Sequence, residues 1–227
     1  MSTHNRKKQR IVEHLAPSQK IYIFCEGKQT EPLYFEAFKR EITKNPIYKN
    51  SVFVSVNGLG KETLRVVKYA ENYVYTHEIS GAQIWCVYDK DSFPNEDFNM
   101  AETVIENLNN SQSSNVYYAA WSNQCVEYWF ILHFSYYTSN NDRKYYRSFL
   151  HKKFAELGWD RYEKNNEELF SILITQGNPK QAIIWSEKQL KSFNKKTPSK
   201  SAPATKVHLL VQELAKYLPD ELKQRFL

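Results

Sequence analysis

Residues 21–25 are an unbroken apolar run, Ile21, Tyr22, Ile23, Phe24 and Cys25. A short run of β-branched and aromatic residues bounded by turn signals predicts a strand covered on both faces. Glu26 and Gly27 end it, and a helix is expected next. Thr30 reads as its N-cap, Pro32 fits the first turn, and Leu33, Phe35, Phe38 and Ile42 follow helical spacing. The alternation then repeats. Residues 52–56 predict a second strand, closed by Asn57, Gly58, Leu59 and Gly60, and residues 61–77 a helix with Leu64, Val67 and Val74 on one face. Residues 83–88 predict a third strand that runs into Asp89, Lys90 and Asp91. A helix over 101–108 and a fourth strand over 116–121 complete the series. Helices between successive strands imply right-handed crossovers and a largely parallel sheet.

Residues 124–134 are apolar nearly all round, as in a buried helix. No strand is expected after them. Helices are predicted over 143–157, 166–174, 180–193 and 205–217, with a Lys-, Ser- and Pro-rich loop over 194–204. There is no internal repeat. The expected class is therefore α/β, a Rossmann-like, largely parallel sheet flanked by helices, with a helical C-terminal region. A basic, flexible tail is expected over residues 1–18, the α/β core over 19–135 and the helical region, packed on that core, over 136–227.

Composition narrows the class. The 227 residues are 41% hydrophobic and 25% charged, which suits one well-buried domain with a small appendage and excludes a chain disordered throughout. Lys and Arg number 31 against 25 Asp and Glu, a formal charge of +6 that favours polyanionic partners such as nucleic acid. Basic clusters over 6–10, 152–153 and 195–200 are equally compatible with a solvated surface. Cys25, Cys86 and Cys125 stand far apart in apolar runs, without metal-type spacing, as buried thiols of a reducing compartment would. The first nineteen residues lack the apolar core of a secretory signal, and the most apolar stretch, 128–134, is far below the roughly 20 residues of a membrane span. A cytoplasmic protein without membrane contact is expected.

Ligands of open parallel sheets bind beyond the carboxyl ends of the strands. Glu26 and the pair Asp89 and Asp91 lie at two such ends, 63 residues apart (89 − 26 = 63). On an extended or turning segment Asp-x-Asp directs both carboxylates to one side, because side chains alternate with period two. Hard oxygen donors of this kind suit Mg²⁺ or Mn²⁺, which takes one or two carboxylates together with water and phosphate oxygens. A third carboxylate nearby would orient or deprotonate an attacking hydroxyl, the arrangement of metal-assisted phosphoryl transfer. Each residue alone is also an ordinary turn residue. Together, three crowded carboxylates repel one another unless a cation joins them.

Three segments resemble the motifs of the RloB-like proteins. They are residues 25–35, from Cys25, Glu26 and Gly27 to Tyr34 and Phe35; residues 87–91, with Asp89 and Asp91; and residues 122–134, from Ser122 and Asn123 through Glu127 to His133 and Phe134. A weaker echo lies in residues 205–211. That family is a bacterial group with a Toprim-like fold, linked to abortive infection and antiphage defence and often accompanied by an ABC/AAA-class ATPase. The resemblance implies Glu26 as general acid/base and metal neighbour, and Asp89 and Asp91 as the metal-binding pair. Where the family carries Ser-Asn-Pro-Cys-Phe-Glu, this chain has Gln124 and Val126 in place of Pro and Phe, which puts the local turn in question but keeps Asn123 and Glu127.

Further candidates surround this constellation. Glu127, in an apolar segment, needs a partner, and is either a helix-capping carboxylate or a group at the metal. His133 reads as a core histidine. Glu31 is near enough to Glu26 for a secondary metal role, or it pairs at its helix start. Lys28 is a cation available to a scissile phosphate, and Thr30 binds a phosphate oxygen or caps its helix. The turn 57–63, with Lys61, has glycines between strand and helix but neither the Walker nor the dinucleotide spacing. Lys206 and His208 are candidates for a nucleic-acid groove, against a packing helix with Val207, Leu210, Val211 and Leu214 inside. Tyrosines 117, 118, 136, 137, 145 and 146 and Trp121 are base-stacking candidates or, more simply, core.

The expected function is a metal-dependent, Toprim-type endonuclease acting in antiphage defence, with RNA, including tRNA, favoured over DNA through the resemblance. The alternative is a partner-dependent effector subunit of an ATPase-containing complex, with no free-standing nuclease activity. A primase-like nucleotidyl-transferring enzyme is weaker, because no zinc ribbon or nucleotide-binding module is visible. A homo-oligomer is compatible with either.

Overall fold

Strand β1 (Gln19–Cys25) is flanked by β2 (Val52–Gly58) on one side and β3 (Gln83–Asp89) on the other, and β4 (Val116–Asn123) and the short β5 (Ala204–Thr205) extend the sheet beyond β3. The computed structural model describes residues 17–111, 113–193 and 197–227. The expected basic tail up to residue 16, and residues 194–196 of the late loop, lie outside the described residues. β1 to β4 are mutually parallel and β5 is antiparallel to β4. The α/β class and the mostly parallel sheet therefore hold.

The order β2-β1-β3-β4-β5 reverses direction beside β1. The chain leaves β1 toward one edge and returns to its other side. Right-handed crossovers then place α1 (Thr30–Lys44) on one face and α2 (Thr63–Thr76) and α3 (Asn95–Asn110) on the other. The side chains follow. Ile21, Ile23, Cys25, Trp85 and Val87 pack with Phe35 and Phe38 of α1, whereas Phe24, Ile84, Cys86 and Tyr88 pack with Val66 and Val67 of α2 and Phe98 of α3. Both faces of β1 and β3 are thus buried, which is why their sequences are unbroken apolar runs.

The C-terminal region is helical and joins the α1 face. It comprises α4 (Glu127–Ile131), α5 (Arg143–Glu156), α6 (Leu169–Thr175), α7 (Pro179–Lys191), α8 (Val207–Ala215) and α9 (Asp220–Lys223). Tyr128 to Ile131, Tyr146, Leu150, Leu173 and Leu210 share one apolar cluster with α1.

Several expectations change. Strand β5 was not expected, because a two-residue Ala-Thr strand carries no periodicity. It pairs Thr205 with Ser122 and Ala204 with Asn123, and so carries β4 two residues beyond its expected end. Helix α3 starts six residues earlier than expected, because its first turn is polar and solvated and only Phe98 faces the core. Gln29, not Thr30, is the N-cap of α1, and Thr30 is buried as the first helical residue. The three cysteines are free and buried. Among the described residues no helix is long and apolar enough to cross a membrane.

Candidate functional site

The turn after β1 is clamped from both sides. Glu26 N donates to Val87 O (2.9 Å), while Leu59 N and Gly60 N donate to the carbonyls of Cys25 and Glu26 (2.9 and 2.8 Å). The Glu26 carboxylate therefore projects at the reversal point between β1 and β3, where open α/β sheets form their crevice. Its Oε2 accepts from Asp89 N (3.3 Å) and from the hydroxyl of Thr63 (3.4 Å), the first residue of α2. Thr63 Oγ1 also lies 3.1 Å from Asp89 O, so one hydroxyl proton is shared between the two strand ends.

Gly27 makes a close approach to Glu31. A Cβ there would lie 2.3 Å from Glu31 Oε2, so only glycine lets the Glu31 carboxylate fold back over the turn. Gly60 has φ +61°, and a Cβ on it would meet the Lys28 side chain at 2.3 Å.

Asp89 ends β3, and Asp91 follows in the left-handed region with φ 40°, a conformation that Asp tolerates better than most residues. Lys90 N donates to Ser122 O and Asp91 N to Gln124 O, both at 2.9 Å, so the turn is tied to the end of β4. The Asn123–Gln124 peptide bond is cis. The relation of Asp89 to Asp91 is thus set by this turn and not by strand alternation, which corrects the expected reason for their pairing.

Glu26, Glu31, Asp89, Asp91 and Glu127 line one cleft of about 500 Å³, together with Thr30, Lys28, Lys61 and Lys164. Asp91 Oδ2 meets Arg143 Nη1 at 2.7 Å, and its Oδ1 is buried without a hydrogen-bond partner among the described residues. Glu127, 1% exposed, is held by Arg147 Nε at 3.0 Å. A larger hollow of about 910 Å³ between α2 and α3 contains Glu71 and Glu78 but none of the strand-end carboxylates.

Burial dominates the electrostatics. It pushes Glu26 up to about 8, with the Glu31 and Asp91 charges adding to it and the Asp89 N–H and Thr63 hydroxyl opposing it. Asp89 is held well above the carboxylate range by burial and then by Glu31, Glu26 and Asp91. Glu31 is raised by burial and by Glu127, although backbone N–H groups and Lys164 oppose. Asp91 is also raised by burial, despite Arg143. Several carboxylates that cannot all ionise comfortably are relieved by a cation. The donor set, all oxygen with one buried oxygen unmet, is of the kind a hard divalent ion takes, and Asp89 and Asp91 are the residues that would hold one. Among the described residues, however, no three His, Cys, Asp or Glu side chains converge as a ready-made cage.

Of the sequence candidates, the cleft gathers Glu26, Lys28, Thr30, Glu31, Lys61, Asp89, Asp91 and Glu127. Asn123, Lys206 and His208 do not join it. Asn123 is 2% exposed, and its amide donates to the carbonyls of Pro198 and Ser199 (3.2 and 3.0 Å). Lys206 pairs with Glu102 and lies over the Trp121 ring, 5.5 Å from its centroid. His208 is buried against Thr205 O, and burial lowers it to about 4. His133 is likewise buried, lowered to about 4, with Nδ1 on Trp129 O. Sequence reasoning missed Arg143, Arg147 and Lys164 and read Thr63 only as part of a turn. The two arginines are spaced i, i+4 on α5, a pattern that puts them on one face without revealing what that face meets.

A mostly parallel α/β sheet with a carboxylate-lined cleft at its reversal point defines the class of protein. The family model for RloB-like protein matches residues 21–214, and the chain belongs to that family. No curated protein and no solved structure matches the chain.

Proposed function

We propose that this protein is a Toprim-type, metal-dependent nuclease acting on nucleic acid in antiphage defence, with RNA, including tRNA, favoured over DNA. One observation carries the reading: Glu26 from the end of β1 and Asp89 and Asp91 from the end of β3 line a single cleft at the reversal point of the sheet. Mg²⁺ or Mn²⁺, when bound, supplies Lewis-acid stabilisation of the charge that develops on a phosphodiester oxygen. Asp89 and Asp91 are the residues that hold it. Glu26 is the proton carrier. Its Oε2 is engaged by Thr63 and Asp89 N, which leaves Oε1 to take or return a proton on the cleft side. In the divalent-free protein burial raises Glu26 to about 8, so it holds a proton at neutral pH. Lys28, Lys61 and Lys164 provide positive charge at the cleft for the polyanion.

The test is metal-dependent cleavage of mixed RNA and DNA pools by the full chain. Glu26→Gln and Asp89→Asn are expected to abolish cleavage while retaining fold, and full activity in both would overturn the assignment. The lack of a ready-made cage, with arginines on two of the carboxylates, favours a second reading. In it the cleft is completed only when a partner, an ABC/AAA-class ATPase, releases or activates the subunit. Toxicity of the chain expressed alone, abolished by Asp91→Asn, supports the free enzyme. Silence alone with toxicity beside such an ATPase supports the partnered effector.

A further inference from the structure

We infer that Arg143 is an exchangeable cation of the cleft: it neutralises Asp91 while no divalent ion is bound, and turns to a substrate phosphate once an ion occupies that carboxylate. The inference rests on the reading of the cleft as a metal-dependent phosphodiester site. It starts from the unequal footing of two arginine–carboxylate pairs on one helix.

Arg147 serves a carboxylate that is 1% exposed. A buried, ionised Glu127 cannot be left alone without a large desolvation penalty, so Arg147 is a permanent partner. Asp91 is 20% exposed, Arg143 is 44% exposed, and they share one recorded contact, Nη1 to Oδ2. The other oxygen of Asp91 is buried and unmet among the described residues. Arg143 therefore leaves Asp91 half satisfied, while among the described residues four of its own five N–H donors remain for another acceptor. A planar fork of this type matches phosphate oxygens in pairs.

The backbone beneath Arg143 is fixed. Arg143 opens α5, whose N-cap Asp142 accepts from Lys144 N at 2.9 Å, and Tyr146, Leu150 and Phe154 lock the helix into the core. Only the side chain has to move. A doubly charged ion on Asp91 removes the reason for the guanidinium to stay, and frees a positive charge beside a cleft that must admit a polyanion past five carboxylates, Glu26, Glu31, Asp89, Asp91 and Glu127.

The experiment uses the full chain. Mn²⁺ binding is followed by electron paramagnetic resonance, and binding of a short mixed-sequence single-stranded RNA by fluorescence anisotropy in a Glu26→Gln background that does not cleave. Arg143→Met is expected to tighten Mn²⁺ about tenfold, because a competing cation is gone. It is expected to weaken RNA binding about tenfold with Mn²⁺ present and less than about twofold without it. Arg143→Lys, which keeps the charge but loses the fork, falls between, and serves if the Met variant does not fold. Unchanged or weaker Mn²⁺ binding would make Arg143 a structural strut and overturn the exchange. An RNA effect of equal size with and without Mn²⁺ would make it a fixed phosphate contact and also overturn it. If the unsubstituted protein binds no Mn²⁺ that Asp89→Asn removes, the metal-site reading itself fails. If it does bind, and only the Arg143 pattern is absent, the exchange alone fails.

Discussion

The ends of β1 and β3 and the ends of β4 and β5 lie on the same sheet and hold similar residue types, yet their polar groups are treated in opposite ways. At the β4–β5 end every group named has a partner. Glu102 Oε1 accepts from Trp121 Nε1 (2.7 Å) and pairs with Lys206, the hydroxyls of Ser122 and Thr205 lie 3.0 Å apart, and Asn123 and His208 bond to backbone carbonyls. The pocket beside them, about 320 Å³, is lined largely by Trp121, Leu190, Phe193 and Pro198. At the β1–β3 end the carboxylates are crowded, Asp91 keeps an unmet buried oxygen, and burial holds Glu26, Glu31, Asp89 and Asp91 above their ordinary range. The presence of charged residues at strand ends does not single out a site. Crowding does: at one end four carboxyls are held above their ordinary range by burial and neighbouring charge, and at the other the one carboxylate is paired.

That contrast is open to attack, beginning with the largest effect. Asp89→Asn or Glu26→Gln is expected to lower metal-dependent cleavage by about 10²-fold or more. The same substitutions should leave the melting temperature of the divalent-free protein unchanged or raised, since each replaces a carboxyl that burial and crowding hold away from its ionised form. A marked loss of stability would place these carboxylates with the satisfied groups of the other end.

The pH dependence comes next. In the folded, divalent-free protein Glu26 keeps its proton up to about pH 8, whereas in the unfolded chain it titrates near 4.5. Between these values the folded state holds more protons. The Glu26 contribution to stability is therefore full below about pH 4.5 and is lost as pH rises toward 8, amounting to a few kcal/mol at most. Urea denaturation across that range should show the decline, and Mg²⁺ or Glu26→Gln should flatten it.

At the β4–β5 end the expectation reverses. Glu102→Ala strands Lys206 and the Trp121 N–H, and should cost about 1–2 kcal/mol in urea unfolding while leaving cleavage unchanged. The smallest effects belong to the exposed lysines. Lys61→Met should weaken RNA binding a few-fold and reduce the slope of log affinity against log salt by about one, and Lys206→Met should change neither.

The sheet was largely readable because β1 and β3 are buried on both faces, and that burial writes itself into adjacent residues as Ile21 to Cys25 and Ile84 to Val87. Strand β5 was not, since two residues have no period and exist as a strand only through β4. In the cleft, Glu26 and Asp89 announce themselves by following apolar runs. Arg143 and Arg147 carry no such mark, because their partners are 52 and 20 residues away along the chain. The place of Lys206 outside the cleft was hidden for the same reason: Glu102, which holds it, stands 104 residues earlier.

The sequence by itself determined the four parallel strands, which carboxylates end two of them, and the family to which the chain belongs. These depend on neighbours within a few residues, where periodicity and composition act. The tertiary structure alone decided that the two strand ends share a cleft, that Asp91 turns through a left-handed residue tied to β4, that α5 brings arginines to the acids, and that Asn123, Lys206 and His208 lie outside that cleft. Each of these depends on strand order and helix docking, contacts between distant residues that no local spacing specifies.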